Sequence, residues 1–290
     1  MVEDGAPDLE ALSAGIYART GRASTIGLTG APGVGKSTLA TELVRAEREA
    51  GGTVAVLAID PTSPYTGGAL LGDRVRMQEH ATDPGVFIRS MATRGHLGGM
   101  SLAAPEAVRV LDAAGYGEVV VETVGVGQAE VEVAAATDTA VVVLSPGAGD
   151  AVQMAKAGIL EIADVFVVNK DDKDGAGEVV RELRQMLHLG AAGPWDPPIV
   201  RTSAIRHEGV AELREAIADH RSYVETSGAL ERKRRARLLQ EVESLAAARF
   251  RVKAAAALTS DGALADGVVA RRIDPYRAAA MLTDETAAAT

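Results

Sequence analysis

Short runs of apolar, often β-branched residues alternate along most of the chain with longer stretches whose apolar residues recur at helical spacing. Each short run predicts a strand that is buried on both faces. The predicted strands span residues 24–29, 53–59, 86–90, 118–121, 139–144, 165–168 and 199–202. The predicted helices between them span residues 36–50, 105–114, 151–161, 178–188 and 210–223. Strands that alternate with helices indicate an α/β fold, in which helices flank a mostly parallel central sheet.

The first predicted strand is followed by the sequence Gly-Ala-Pro-Gly-Val-Gly-Lys-Ser at residues 30–37, which matches the phosphate-binding loop pattern. Its glycines let consecutive backbone N–H groups turn toward a phosphate, and the N-terminus of the next helix adds further donors. Lys36 can reach the outer phosphates, and the Ser37 hydroxyl can ligate Mg²⁺. The nucleotide contacts expected here are Gly30, Gly33, Val34, Gly35, Lys36, Ser37 and Thr38. The sequence therefore predicts a P-loop NTPase, with Lys36 also acting in catalysis.

The tetrapeptide Asn-Lys-Asp-Asp at residues 169–172 fits the Asn-Lys-x-Asp pattern of guanine-specific sites. The carboxylate of Asp172 can accept hydrogen bonds from the ring N–H and the amino group of guanine, whereas adenine presents an acceptor in place of that ring N–H. Each such bond to a charged group is worth about 1.5–3 kcal/mol, so the predicted ligands are GTP and GDP. The expected contacts in this part of the site are Asn169, Lys170, Asp172, Ser203 and Ala204.

Three carboxylates lie at or near the ends of predicted strands. Glu122 and Asp60 end apolar runs, and Asp73 lies in the Gly-rich connection that follows Asp60. With Ser37 they form a predicted Mg²⁺ and catalytic group. Other roles stay open for two of them, since Asp60 can cap a turn before Pro61 and Asp73 can cap a helix.

Gly-rich segments that could respond to the γ-phosphate span residues 64–72, 125–128 and 146–150. Gly125 lies three residues after Glu122, a spacing at which a backbone N–H can meet the γ-phosphate. Gln128 could orient the attacking water, although its offset from Gly125 differs from that of better-known GTPases.

The pattern changes at Gly228. From residue 230 to about 258 the chain contains no Gly or Pro, which predicts one long helix. Its apolar stripe comprises Leu239, Val242, Ala246 and Phe250. The stripe could fold back on its own domain, but a second subunit is favoured because the sheet already has its own helices. We therefore predict an N-terminal lead-in (1–20), a P-loop GTPase domain (21–227) and a C-terminal helical dimerisation extension (228–290).

A basic cluster near the start of the predicted long helix comprises Arg232, Lys233, Arg234, Arg235 and Arg237. Such a cluster could contact nucleic acid or anionic lipid. Acidic residues at positions 231, 241 and 243 argue against that, and we predict a solvated helix face instead.

Composition removes several function classes. The chain has no cysteine, which excludes disulfides and thiol chemistry and suits a reducing compartment. The formal net charge of −10 argues against nonspecific nucleic-acid binding. No apolar run is long enough to span a bilayer, and the N-terminus does not resemble a signal peptide, so we expect a cytoplasmic protein without a membrane partner.

Long motifs beyond the nucleotide pattern resemble the MeaB/ArgK family. They span residues 59–64, 67–74, 122–128, 146–150 with Gln153 and Lys156, and 195–198, and the resemblance extends from about Ile26 to Leu282. Members of that family are GTPases that assist adenosylcobalamin-dependent methylmalonyl-CoA mutase. The resemblance implies a homodimer whose C-terminal extension contributes to the interface, with GTP hydrolysis that the mutase accelerates.

The resemblance also implies a purpose and a set of roles. The protein would gate adenosylcobalamin delivery and protect or restore the mutase. Lys36 and Ser37 would hold phosphate and Mg²⁺, the three carboxylates would form the metal and catalytic group, and residues 147–156 would communicate with the mutase.

Three other functions remain open from the sequence. A kinase of the lysine/arginine/ornithine transport-system type would need a catalytic base beside an acceptor pocket, and no motif indicates one. A GTPase that carries a metal such as nickel would need a Cys or His cluster, and the five histidines are scattered. A nucleotide-binding module with negligible turnover is the third.

Overall fold

A computed structural model describes residues 2, 6, 8–60, 77–92, 103–123, 129–147, 161–189, 193–260 and 262–288 of the 290-residue chain. The strands are β1 (Ser24–Thr29), β2 (Val54–Asp60), β3 (Val86–Ala92), β4 (Glu118–Thr123), β5 (Thr139–Leu144), β6 (Val165–Val168) and β7 (Ile199–Arg201). The α-helices are α1 (Leu9–Ile16), α2 (Lys36–Glu49), α3 (Ala103–Ala114), α4 (Ala129–Ala136), α5 (Ala176–Leu189), α6 (Val210–Thr226), α7 (Ala229–Ser260), α8 (Gly262–Val269) and α9 (Pro275–Ala288). Short 3₁₀ helices span Tyr17–Arg19, Gln78–His80 and Ala204–Arg206.

Within the described residues, seven strands form one parallel sheet in the order β3-β2-β4-β1-β5-β6-β7. Strand β1, which leads into the phosphate-binding loop, lies at the centre between β4 and β5. Every residue of β1, β2, β5 and β6 is buried, as β-branched runs in a covered parallel sheet require. The predicted α/β class with a parallel sheet is confirmed. In such a sheet the carboxyl ends of the central strands form one edge, where ligands bind.

Helices cover both faces of the sheet. On one face Ile26, Val120 and Val141 pack with α2 and α6, and on the other Val119 and Val121 pack with α3 and α4. Helix α5 joins the second face through Leu183, which packs against Val142 and Phe166. Leu39 and Leu43 of α2 are fully buried, and each such side chain contributes about 1.5–3 kcal/mol relative to exposure. This burial fixes α2, whose first turn carries Lys36 and Ser37, against the sheet.

The predicted strands coincide with the observed ones, with ends that differ by at most two residues. The sequence also indicates a helical turn near residues 9–17 and a short final helix through Met281, so among the described helices α4 and α8 were missed. The α4 sequence Ala-Glu-Val-Glu-Val alternates apolar and acidic residues with a period of two, so it lacks a helical pattern. Helix α8 is short and has glycines at residues 262 and 267. Most of the helix predicted at 151–161 lies outside the described residues.

The chain divides into two compact units, residues 1–235 and 236–290. In the second unit Leu264, Ala278 and Leu282 form a small apolar cluster with the partly buried Ile273. The domain boundaries predicted at residues 20 and 227 remain predictions. Among the helices that the structure describes, none combines the length and apolar character needed to cross a membrane.

The basic cluster at the start of α7 corrects one prediction. Arg234 donates hydrogen bonds to the buried carboxylate of Asp138, with 2.6 Å from Nη2 to Oδ2, and to the carbonyl oxygen of Ala23 at 2.9 Å. Lys233 Nζ donates to the carbonyl oxygen of Asp138 at 3.1 Å and to the Asp164 carboxylate at 3.3 Å. The prediction of a solvated face is therefore wrong for Lys233 and Arg234. Buried carboxylates need compensating cations, and here the cations come from a distant part of the chain.

A partly buried carboxyl group, Glu118, lies at the start of β4, at the opposite end of the strand from Glu122. Burial raises the pKa of Glu118 to about 7, and the nearby carboxylate of Glu47 adds to that shift. The opposing charge is modest, since Arg214 Nη1 is 4.0 Å from Glu118 Oε1 and pairs more closely with Glu47. Below about pH 7 the folded protein therefore favours the protonated form of Glu118.

We expect Glu118→Gln to stabilise the protein at alkaline pH. Because the folded pKa lies above the ordinary 4.5, the stability that Glu118 contributes is fully present below pH 4.5 and is lost as the pH rises through about 7. The variant should gain about 1–3 kcal/mol over wild type near pH 8.5, and this gain should shrink several-fold near pH 5 in urea unfolding. The exposed Glu178→Gln serves as the control. An equal effect of Glu118→Gln at both pH values would contradict the assignment.

Candidate nucleotide-binding site

The loop between β1 and α2 has a backbone that requires glycine at two positions. Gly30 has φ +140° and Gly35 has φ +98°, which are conformations that side chains disfavour. A Cβ at Gly30 would collide with the carbonyl oxygen of Val143, and one at Gly35 would collide with the amide of Asn169. The loop therefore lies close against the neighbouring strand ends, and the N-terminus of α2 begins directly after it. Such a helix N-terminus favours bound phosphate.

The ammonium group of Lys36 is held over this loop. Its Nζ donates to the carbonyl oxygens of Gly30 at 2.5 Å and Ala31 at 3.0 Å, and the side chain is buried. This position brings a positive charge to the mouth of the loop, as the sequence pattern predicts for a residue that meets the outer phosphates.

The structure brings three of the predicted metal-binding residues to one face of the sheet. Ser37 Oγ in the first turn of α2 donates to Glu122 Oε1 at 2.5 Å. Ala58 is the register partner of Glu122, so Asp60, two residues further along β2, lies on the same face. Both carboxylates are at most 1% exposed. Asp73, Gly125 and Gln128 lie outside the described residues.

The donor chemistry of this group fits magnesium. Two carboxylates and a hydroxyl are hard oxygen ligands of the kind that Mg²⁺ prefers. In the part of the chain that the structure describes, no group of three or more His, Cys, Asp or Glu side chains could hold a metal ion. A protein-bound ion at this site would therefore rely on Ser37 and on further oxygen ligands beyond Asp60 and Glu122.

The carboxamide of Asn169 joins the phosphate-binding loop to the loop after β7. Its Nδ2 donates to the carbonyl oxygen of Val34 at 2.9 Å. Its Oδ1 accepts from Thr202 Oγ1 and from the backbone N–H of Ala204, both at 3.1 Å. Since the side chain is 2% exposed, these bonds are shielded from water. Asn169, in the loop after β6, thus connects the phosphate-binding loop after β1 with the loop after β7.

The neighbouring residues of the motif have distinct partners. Lys170, with φ +61°, donates from Nζ to the carbonyl oxygen of Gly33 at 2.5 Å. Asp172 accepts a hydrogen bond from Ser203 Oγ at 2.6 Å, and this bond lowers the pKa of the Asp172 carboxyl group below its ordinary value. Asp171 is instead paired with Arg201, whose Nε lies 2.6 Å from Oδ1. Asp172 therefore remains the better candidate for recognising the base.

The phosphate end and the base end of the candidate site lie at the same edge of the sheet. Gly30–Thr38 follows β1, Glu122 is in β4, Asn169–Asp172 follows β6 and Ser203–Ala204 follows β7. Sequence reasoning predicted these segments from their positions after strands. It missed the role of Thr202 as a partner of Asn169, and it missed Glu42, Arg45 and His207 beside the base end. No motif spacing marks those residues, because their contacts depend on the tertiary fold.

A comparison with known families agrees with this geometry. The family model described as Methylmalonyl Co-A mutase-associated GTPase MeaB matches residues 1–259. The chain belongs to the MeaB family of GTPases. It is a GTPase, and its family implies guanine nucleotide binding, as the sequence predicted.

Individual relatives of the MeaB-family chain carry consistent names. A putative GTPase of Pyrococcus horikoshii is 47% identical over 98% of this chain and 91% of its own length. The GTPase ArgK of Escherichia coli is 39% identical over 81% of this chain and 73% of its own length. The solved structure of a LAO/AO transport system kinase has a TM-score of 0.67 at 28% identity, covering 98% of this chain and 90% of that one.

We expect Asp172→Asn to change the base preference of this MeaB-family protein. The amide can donate where the carboxylate accepted, so GTP affinity should fall about 10- to 100-fold while xanthosine triphosphate gains. Competition binding with both nucleotides measures the change. Asp171→Asn is the matched control, because Asp171 pairs with Arg201 and should leave the preference unaltered. An unchanged preference in Asp172→Asn, or equal effects in both variants, would contradict the assignment.

Proposed function

We propose that this GTPase is a nucleotide-gated chaperone of adenosylcobalamin-dependent methylmalonyl-CoA mutase. It would gate the delivery of adenosylcobalamin and protect or restore the mutase. The observation that carries the proposal is the family match over residues 1–259, since the family's description names association with that mutase. The motifs at 122–128, 146–150 and 195–198, which go beyond nucleotide binding, support it.

The described residues, together with Asp73 from the sequence motif, suggest a division of roles in GTP hydrolysis. Residues 30–38 would bind the phosphates through backbone N–H groups and the Lys36 ammonium. Ser37, Asp60, Asp73 and Glu122 would hold Mg²⁺, which when bound neutralises charge on the β- and γ-phosphates. Glu122 already orients the Ser37 hydroxyl through its hydrogen bond. Asp172, with Ser203 and Ala204, would select guanine.

The route to the mutase would begin at the end of β5. This strand lies beside β1, and the chain leaves it at the same edge as the phosphate-binding loop. Ser145, Pro146 and Gly147 follow, and residues 148–156 of the proposed partner loop lie outside the described range. Because β5 also pairs with β6, the loop begins beside the strands that carry both ends of the nucleotide site.

We further propose that the protein is a homodimer that uses the apolar stripe of α7. In the single chain Leu239 is 52% exposed and Val242 is 63% exposed. Exposed apolar side chains at helical spacing are typical of a face that packs against another helix. A second copy of the chain is the occupant that the family resemblance implies.

The chaperone proposal is tested by measuring phosphate release from GTP with and without purified methylmalonyl-CoA mutase. Acceleration of several-fold by the mutase is the expected result, with free phosphate as product. The Glu122→Ala variant should lose the acceleration. Absence of acceleration in the wild type would refute the chaperone role, and a phosphorylated acceptor would favour a kinase. Unchanged hydrolysis by Glu122→Ala beside the mutase would show that the acidic group is misassigned.

The dimer is tested by placing a charge on the stripe. Val242→Glu should convert a dimer to a monomer in analytical ultracentrifugation at micromolar concentration, because burying an unpaired carboxylate is costly. Gln240→Glu adds the same charge outside the stripe and should remain dimeric. Circular dichroism checks that both variants keep their helices. A wild-type protein that sediments as a monomer, or equal behaviour of the two variants, rules the proposal out.

A further inference from the structure

The loop that closes the base end of the site is short and tightly built. This base loop, residues Ser203–Glu208, is closed by backbone hydrogen bonds between Ser203 and Glu208 at 3.1 and 3.2 Å. It contains the 3₁₀ turn Ala204–Arg206, which is followed by His207 at φ +60°. A left-handed backbone is uncommon for a residue with a side chain, and although histidine adopts it more often than most, glycine would suit this position better on backbone grounds. The contacts of the His207 side chain therefore have to explain why a histidine occupies this position.

The imidazole of His207 lies between two charged groups of helix α2. Its Nδ1 is 2.7 Å from Glu42 Oε2 and 2.7 Å from Arg45 Nη1. Arg45 in turn bridges both carboxylate oxygens of Glu42 at 2.8 Å. An imidazole suits this position because one ring nitrogen can donate to the carboxylate or accept from the guanidinium.

Burial distinguishes this cluster from an ordinary surface ion pair. Exposed pairs contribute little to stability, and His207 is largely exposed. The Glu42 side chain, however, is only 6% exposed. A carboxylate buried to this degree needs its partners, so the contacts from Arg45 and His207 are favoured over solvent. The base loop is thereby attached to the interior face of α2.

Helix α2 is also the helix that carries the phosphate-binding residues. Its first turn contains Lys36 and Ser37, and Glu42 follows within the same helix. We propose that Glu42, Arg45 and His207 form a clamp that positions the base loop for guanine nucleotides at a fixed distance from the phosphate-binding loop. These are positioning residues, because they act through Ser203 and Ala204. The inference rests on the proposed assignment of those two residues to the base.

Substitutions at His207 separate the clamp from backbone strain. His207→Phe keeps an aromatic ring but has no nitrogen, and His207→Gly removes both the contact and the strain. Both should weaken GDP and GTP about fivefold, the loss expected for one partly exposed hydrogen bond to a charged group. His207→Asn should recover much of the affinity, since asparagine tolerates positive φ and retains a polar amide. His188→Phe, at an exposed histidine that bonds only its own helix among the described residues, is the matched control.

The readouts are the dissociation constants of fluorescent GDP and GTP, the KM and kcat of hydrolysis, and the melting temperature without nucleotide. The clamp predicts that the loss appears in KM rather than kcat. It also predicts that His207→Gly melts no lower than wild type and yet binds more weakly. Glu42→Gln provides a second route to the same loss, should a His207 variant fold poorly.

Two results would overturn the clamp. One is wild-type affinity in both His207→Phe and His207→Gly. The other is a lower melting temperature with unchanged nucleotide affinity, which would indicate a structural role alone. Asp172→Asn keeps this failure distinct from failure of the proposed site. If Asp172→Asn changes the base preference while the His207 variants bind normally, only the clamp is wrong.

Discussion

The arrangement of the nucleotide site depends on one buried carboxamide. Asn169 donates to the phosphate-binding loop at Val34 and accepts from Thr202 and Ala204 after β7. Gly35 is required beside it, because a side chain at that position would occupy the space of the amide. These hydrogen bonds are made within the protein itself, so the loops assigned to phosphate and base are linked by the protein's own atoms. Such preorganisation lowers the entropic cost of binding.

Ion pairs and charged hydrogen bonds stabilise the opposite edge of the sheet, where the strands have their amino ends. Asp138 precedes β5, accepts from Arg234 and bonds the start of β1 through Thr25. Burial opposes ionisation of Asp164, which precedes β6, but the hydrogen bond from His220 and the charge of Lys233 outweigh it and lower the pKa. Strands β1, β5 and β6 are therefore anchored at their amino ends to the first turns of α7. The carboxyl ends of β1 and β6 lead into the candidate nucleotide loops, and β5 lies between these two strands. The same three strands thus connect both edges.

Local sequence was sufficient where local chemistry decides the structure. The β-branched runs predicted β1, β5 and β6 to the residue, and the strand ends at Asp60 and Glu122 located the acidic pair. Local sequence was insufficient where a residue's environment depends on a partner that is distant in the chain. The sequence around Arg234 predicts a solvated cation, whereas the structure pairs it with Asp138, which is 96 residues away. The same holds for His207, whose partner Glu42 is 165 residues away. Such pairings follow from the strand order, which no single segment encodes.

The two ends of the site contribute differently to a nucleotide switch. GTP and GDP share the base, so contacts from the candidate residues Asp172, Ser203 and Asn169 would stabilise both and would not by themselves distinguish them. Discrimination must arise where the γ-phosphate differs, near Lys36, Ser37 and Glu122. Those residues lie on α2 and β4, beside β1. Under the proposed chaperone function, the change on hydrolysis would therefore have to be transmitted from this phosphate end, while the base end would contact the nucleotide in both states.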